Sequence, residues 1–218
     1  MDFSTFIFLA QISHICYYNL MKKLDAFLAA IIGLICGFIL PRVAFFEGIF
    51  PEQLLKYFPV LLPILSLFGI WFLVTVFKKT LTLIQFGKSF LVGILNSAID
   101  MGVFDFLTRF FSVALGWWPI FFKVTSFTCG AINSYFWNKF WAFEKKDTQN
   151  KPREVVQFFS ITIIGLLIHT LVIYIVINIV GVKLEVSERM WASIGNMLAI
   201  FTGFVWNFLG YKFIVFKK

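Results

Sequence analysis

Six stretches of the sequence, roughly 25–44, 58–77, 86–108, 118–141, 157–180 and 191–212, are apolar around most of their circumference. Each is close to the ~20 residues that carry a helix across a bilayer. In hydrocarbon every backbone amide must be hydrogen-bonded within the protein, so only helices or a closed barrel can cross. Runs this long without two-residue alternation select helices. Sixty percent of the residues are apolar and 14% are charged, and the charges gather between the runs. That distribution excludes a water-soluble fold, whose surface helices need a polar face. The expectation is an all-α integral membrane protein with six transmembrane helices.

The net charge of +8 does not point to nucleic acid, because the basic residues mark the ends of the runs instead of one solvated face. They read as topology signals. With both termini cytoplasmic, the inner side holds thirteen of the nineteen basic residues, among them Lys22, Lys23, Lys78, Lys79, Lys145, Lys146 and Lys151. The positive-inside rule then gives a multi-pass protein of the cytoplasmic membrane, with residues 45–57, 109–117 and 181–190 outside. The connector 45–57 reads as a mixed-charge loop, and Lys145–Arg153 as a solvated basic one. Upstream, Phe3–Leu20 is a marginal span carrying Gln11, Ser13, His14 and Asn19. Met21 followed by two lysines and an apolar run has the form of a second start. Residues 1–20 then read as an upstream extension or an interfacial helix, and the run after Met21 as a retained anchor.

The last part of the chain repeats itself. Trp118–Phe143 lies over Trp191–Phe216 at a shift of 73, pairing Trp118 with Trp191, Gly130 with Gly203, Lys139 with Lys212 and Phe143 with Phe216. Upstream, at a shift one residue smaller, Phe90–Leu107 falls largely on Phe158–Ile175, pairing Gly93 with Gly165 and placing His169 opposite Ser97. Two copies of a two-span unit enter the membrane with the same polarity, so the last four spans form a parallel two-hairpin repeat bundle. Residues 1–84 are then an N-terminal extension with its own transmembrane hairpin, and 85–218 a four-helix domain.

Several polar residues sit at membrane depth. Asp100, one turn after Asn96, costs a few kcal/mol in hydrocarbon, so it faces protein or a wet cavity. It either fixes helix packing or handles substrate or protons. His169 is a structural histidine or the imidazole partner of Asp100. Lys123, five residues inside its span, either snorkels or anchors an anion such as a phosphate. Lys139 and Lys212 are interfacial anchors or hold a lipid phosphate at the inner rim. Asn133, Asn138 and Asn207 either pack helices or supply donors and acceptors to a ligand. Cys16, Cys36 and Cys129 lie in apolar runs without metal-ligand spacing. No GxSxG, HExxH, Walker loop or acidic nucleotide-sugar motif occurs, so no enzyme, metal or cofactor is expected.

The set Gly93, Asn96 and Asp100, then Asn133, then Asn138–Phe143 (NKFWAF), then Trp206–Phe216 (WNFLGYKFIVF) resembles the GtrA-like family over about residues 85–218. The four-span domain of that family also occurs fused to some dolichol-phosphate mannose synthases. The family usually carries Asn where this chain has Tyr211. The resemblance implies polysaccharide biosynthesis at the cell surface, with movement of a polyprenyl-phosphate-linked sugar from the inner to the outer leaflet. Membrane lipid and a glycosyltransferase are the implied partners, and a homo-oligomer is compatible. A non-catalytic scaffold for that glycosyltransferase and a small proton-coupled transporter are the alternatives.

Overall fold

The structure is a computed structural model that describes residues 23–77, 80–112, 118–145, 151–180 and 188–217. The marginal run Phe3–Leu20, the start at Met21, and parts of the basic connectors lie outside the described residues. Within them the chain is helical, with no strand. We name the helices α1 (Lys23–Arg42), α2 (Ala44–Ile49), α3 (Glu52–Leu55), α4 (Phe58–Val76), α5 (Leu81–Phe111), α6 (Trp118–Trp137), α7 (Lys151–Tyr174) and α8 (Glu188–Gly210). The mixed-charge connector expected as a loop thus contains two short helices, α2 and α3.

Among the described residues five helices are long and apolar enough to cross a membrane: α1, α4, α5, Pro152–Val172 of α7, and Leu198–Val215 of α8 and its continuation. The sixth expected span, α6, is a 20-residue helix but is not among the five. It carries Lys123, Thr125, Ser126, Thr128, Asn133 and Ser134, which lower its hydropathy. Three helices continue into π-helical turns, α6 at Asn138–Ala142, α7 at Ile175–Val180 and α8 at Tyr211–Val215. A π turn inserts an extra residue and re-aims the side chains that follow.

The chain divides into two compact units, Met1–Gly130 and Ala131–Lys218. In the first, α1 crosses α4 at Gly33 and Gly37. A Cβ at Gly33 would stand 2.6 Å from the Leu62 carbonyl oxygen, and one at Gly37 would stand 2.6 Å from that of Phe58. No other residue permits this approach. Small residues four apart are the usual means of bringing backbones together where lipid supplies no hydrophobic drive between helices. Near the start of α1, Asp25 forms an ion pair of 2.7 Å with Lys88 of α5, and both side chains are buried.

The second unit is the α7–α8 hairpin with the end of α6. Its core is aromatic: Phe158 stacks on Tyr211 at 4.5 Å and meets Tyr135 edge-on at 5.4 Å, while Phe216 stacks on Phe143. Beside it, Lys145 donates to the Val215 carbonyl at 3.1 Å. That contact ties the residues after α6 to those after α8.

Candidate functional site

The first polar constellation lies in the first unit. α5 has 31 residues and is centred on Asn96, so Asp100 lies ~6 Å past its midpoint. Asn96 and Asp100, four apart, share one face of α5. Lys123, Ser126 and Gly130 share one face of α6 at spacings of three and four. The two faces meet. The Asp100 carboxylate takes the Lys123 ammonium at 2.5 Å through one oxygen and the Ser126 hydroxyl at 2.6 Å through the other. A Cβ at Gly130 would stand 3.3 Å from the Asn96 carbonyl oxygen and 3.8 Å from the Asp100 Cβ, so a glycine here lets the helices close.

A single charge at a helix centre costs ~2.5–3.5 kcal/mol on insertion scales, and pairing acid with base offsets part of it. The pair is not sealed. The Lys123 side chain is 58% exposed and that of Asp100 is 23% exposed. The partners of Asp100 within its own unit are thus a lysine and a serine. Lys123, read from the sequence as a snorkelling residue or an anion anchor, is paired with Asp100 and keeps more than half of its side chain exposed.

The second constellation lies where α6 ends, in the second unit. Glu154, in the first turn of α7, receives the Lys139 ammonium at 2.7 Å and the Tyr135 hydroxyl at 2.7 Å on one oxygen. Its other oxygen is 3.4 Å from Lys145. Lys139 also donates to the Tyr135 oxygen at 3.2 Å, and its side chain is 3% exposed. An ammonium enclosed in this way does not present itself to a lipid phosphate, which corrects the reading of Lys139 as an open rim cation. Asn138 is buried as well, its amide nitrogen returning to the Ser134 carbonyl at 2.9 Å and the Ser134 hydroxyl at 3.1 Å. Glu154 was not singled out from the sequence, because it closes the polar run that begins at Glu144. The signal was there: it is the last charged residue before 28 apolar-rich positions, 155–182, free of any Lys, Arg, Asp or Glu.

Between α7 and α8 the contacts are close and uncharged. A Cβ at Gly203 would stand 3.4 Å from the Gly165 carbonyl oxygen and 3.6 Å from the His169 Cβ. The Asn207 amide fills the space over Gly165, and its buried Oδ1 accepts no hydrogen bond among the described residues. The Trp206 indole donates to the Ile161 carbonyl at 3.1 Å. Tyr211 shares a hydrogen bond of 2.7 Å with Thr162. Lys212 lies over the rings of Phe208 and Phe213 at 5.9 and 5.6 Å.

Asn96, Asp100 and Lys123 therefore belong to one compact unit, and Asn133, Asn138, Lys139, His169, Asn207 and Lys212 to the other. Among the described residues no group of three His, Cys, Asp or Glu side chains is arranged to hold a metal ion.

Long apolar helices whose buried charges are matched between helices define a multi-pass helical membrane protein. The chain belongs to the GtrA/DPMS transmembrane domain family, which it matches over residues 88–216. It is also similar to the "Uncharacterized membrane protein YngA" of Bacillus subtilis (strain 168), with 36% identity over 130 residues, 60% of this chain and 80% of that protein. No solved structure matches it. The helices α1–α4 precede the family match.

Proposed function

We propose that the protein translocates, or helps to translocate, a polyprenyl-phosphate-linked sugar across the cytoplasmic membrane, without a catalytic step of its own. Membership of the GtrA/DPMS transmembrane domain family suggests a role in processes that handle such sugars. The observation that carries the proposal is the Asp100–Lys123 pair, a lysine more than half exposed yet held in place by a carboxylate 2.5 Å away. A lipid phosphate can reach the exposed side of the Lys123 ammonium while Asp100 keeps its contact with Lys123 and Ser126, so neither partner is left bare in hydrocarbon. The Asn96 amide and the Ser126 hydroxyl lie on the same two faces. They replace part of the water that sugar hydroxyls lose, each loss costing ~1–3 kcal/mol if unreplaced. The polyprenyl tail stays in the bilayer, so a groove open to lipid suffices.

In this reading α5–α6 and α7–α8 are parallel copies of one hairpin, with six spans in all. Support comes from the two glycines 73 residues apart, Gly130 and Gly203, each pressed on a carbonyl of the preceding helix. Taking them as counterparts aligns Asn96 with Gly165 and Asp100 with His169, a shift of 69 in place of the 72 read from the sequence. The π turns Asn138–Ala142 and Tyr211–Val215 also lie 73 apart. Both termini are cytoplasmic in this arrangement. A cysteine placed at Lys151 should react with an impermeant maleimide only from the inside, and labelling only from the outside would invert the topology.

The functional test is reconstitution with a fluorescent polyprenyl-phosphate sugar, scored by its accessibility in the outer leaflet. Lys123→Ala and Asp100→Ala should each slow translocation about tenfold or more at equal membrane abundance, the scale of one charge-assisted hydrogen bond. Lys123→Arg should keep part of the rate, since the cation is kept while its shape changes. Equal rates in all three variants would replace translocation by a scaffolding role for a partner glycosyltransferase.

A further inference from the structure

At the end of the first unit where α1 and α5 finish, two cavities meet. The larger, about 810 Å³, lies between α1 and α5 and has apolar walls that include Phe38, Ile99, Val103 and Phe106. The smaller, about 550 Å³, lies under the α2–α3 connector against Pro41, Phe50, Leu55 and Pro59. Phe38, Arg42 and Glu47 line both. Volumes of this size are typical of sites for small amphipathic molecules.

Two arginines stand here, and they do different work. Arg109 is filled: its Nε meets Asp105 at 2.7 Å, and its Nη2 meets Glu47 at 3.0 Å and the Arg42 carbonyl at 3.2 Å. It is a strut from α5 to the end of α1. Arg42 donates back to the Phe38 carbonyl and rests over the Phe38 ring at 5.9 Å. A guanidinium has five N–H donors, and among the described residues the others on Arg42 meet no acceptor. Glu47 faces the same space from the opposite charge. The four groups Arg42, Arg109, Glu47 and Asp105 sum to zero, and Glu52 and Lys56 pair with each other at 3.2 Å.

Such a site favours a head group that carries both charges. An anion alone would meet Arg42 but also Glu47, Asp105 and Glu52. A phosphodiester joined to a primary ammonium satisfies Arg42 and Glu47 together, and an acyl chain continues along the apolar wall between α1 and α5. We infer that this cavity binds a zwitterionic aminophospholipid, with its phosphate on Arg42 and its ammonium on Glu47. The bound lipid would fasten α1 to α5 on the side opposite the Asp25–Lys88 pair.

The test uses the full chain purified in detergent and titrated, by native mass spectrometry, with phosphatidylethanolamine and phosphatidylglycerol of the same acyl composition. The wild type should prefer phosphatidylethanolamine several-fold. Arg42→Gln should weaken its binding about tenfold, the loss of one charge-assisted contact, while Arg42→Lys keeps part of it. Glu47→Gln should abolish the preference between the two lipids. Val103→Trp, which leaves every charge in place and blocks the wall, should weaken both lipids and covers the case in which Arg42→Gln does not fold. Equal binding of the two lipids by the wild type, preference for phosphatidylglycerol, or undiminished binding by both Arg42→Gln and Val103→Trp would overturn the assignment.

Discussion

The α5–α6 and α7–α8 hairpins close on the same contact with different chemistry. In each a glycine lies against a carbonyl of the preceding helix, Gly130 at 3.3 Å from Asn96 and Gly203 at 3.4 Å from Gly165, measured from the Cβ each glycine lacks. The side chain one turn further on is the acid Asp100 in the first hairpin and His169 in the second. The first hairpin adds an ion pair to the contact. The second makes the same approach without a charged pair among its described residues. Hairpin closure therefore rests on the glycine and does not require the Asp100–Lys123 pair. The Asp100–Lys123 pair is thus an addition that the second hairpin lacks among its described residues, and one that is costly at membrane depth.

The ends of the hairpins differ in the same spirit. Lys139 is enclosed with Glu154 and Tyr135, whereas Lys212 lies over two rings with its side chain partly exposed. The largest expected effect tests this contrast. Glu154→Ala strands a buried ammonium and should destabilise the protein by about 3–5 kcal/mol in thermal unfolding in detergent. Lys212→Ala should cost less, because its side chain is only partly buried. The double variant Lys139→Met with Glu154→Leu should recover most of the loss, because it removes both charges. Comparable losses for Glu154→Ala and Lys212→Ala would break the comparison.

Next in size are Gly130→Val and Gly203→Val, each expected to cost about 1–3 kcal/mol by overpacking. The two losses should be alike, since the two approaches are alike. A loss confined to Gly130 would mean that the hairpins close by different means. The smallest effect sharpens the contrast at the exits: Tyr211→Phe removes the hydrogen bond to Thr162 and should cost about 1 kcal/mol. Chemical denaturation read by tryptophan fluorescence would resolve it.

Much of this architecture is legible from residue order. The apolar runs anticipated α1, α4, α5, α7 and α8, because transfer into hydrocarbon is a property of each residue summed along a segment. The 73-residue recurrence marked Gly130 and Gly203 before any contact was known. The four-residue spacing of Gly33 and Gly37 was not read as a helix crossing, and nothing in the order of residues says that α4 is the partner. Even α6, with its polar positions, was placed by the pattern around it.

The charge partners were not legible. Asp25 with Lys88, Asp100 with Lys123, and Lys139 with Glu154 are separated by a loop or by whole helices, and each pairing depends on how a helix is rotated about its axis. That rotation is decided where small residues let backbones meet, as Gly130 does beside Asp100. Lys139 looked like an interfacial anchor and Glu154 like part of a solvated loop for the same reason. Burial of a charge is a property of what packs around it. The sequence by itself determined which segments are helical and apolar and where small residues such as Gly130 and Gly203 fall, since both follow from local hydrophobicity and residue size. Only the tertiary structure decided which charges neutralise one another, because that depends on distances between helices that no local pattern contains.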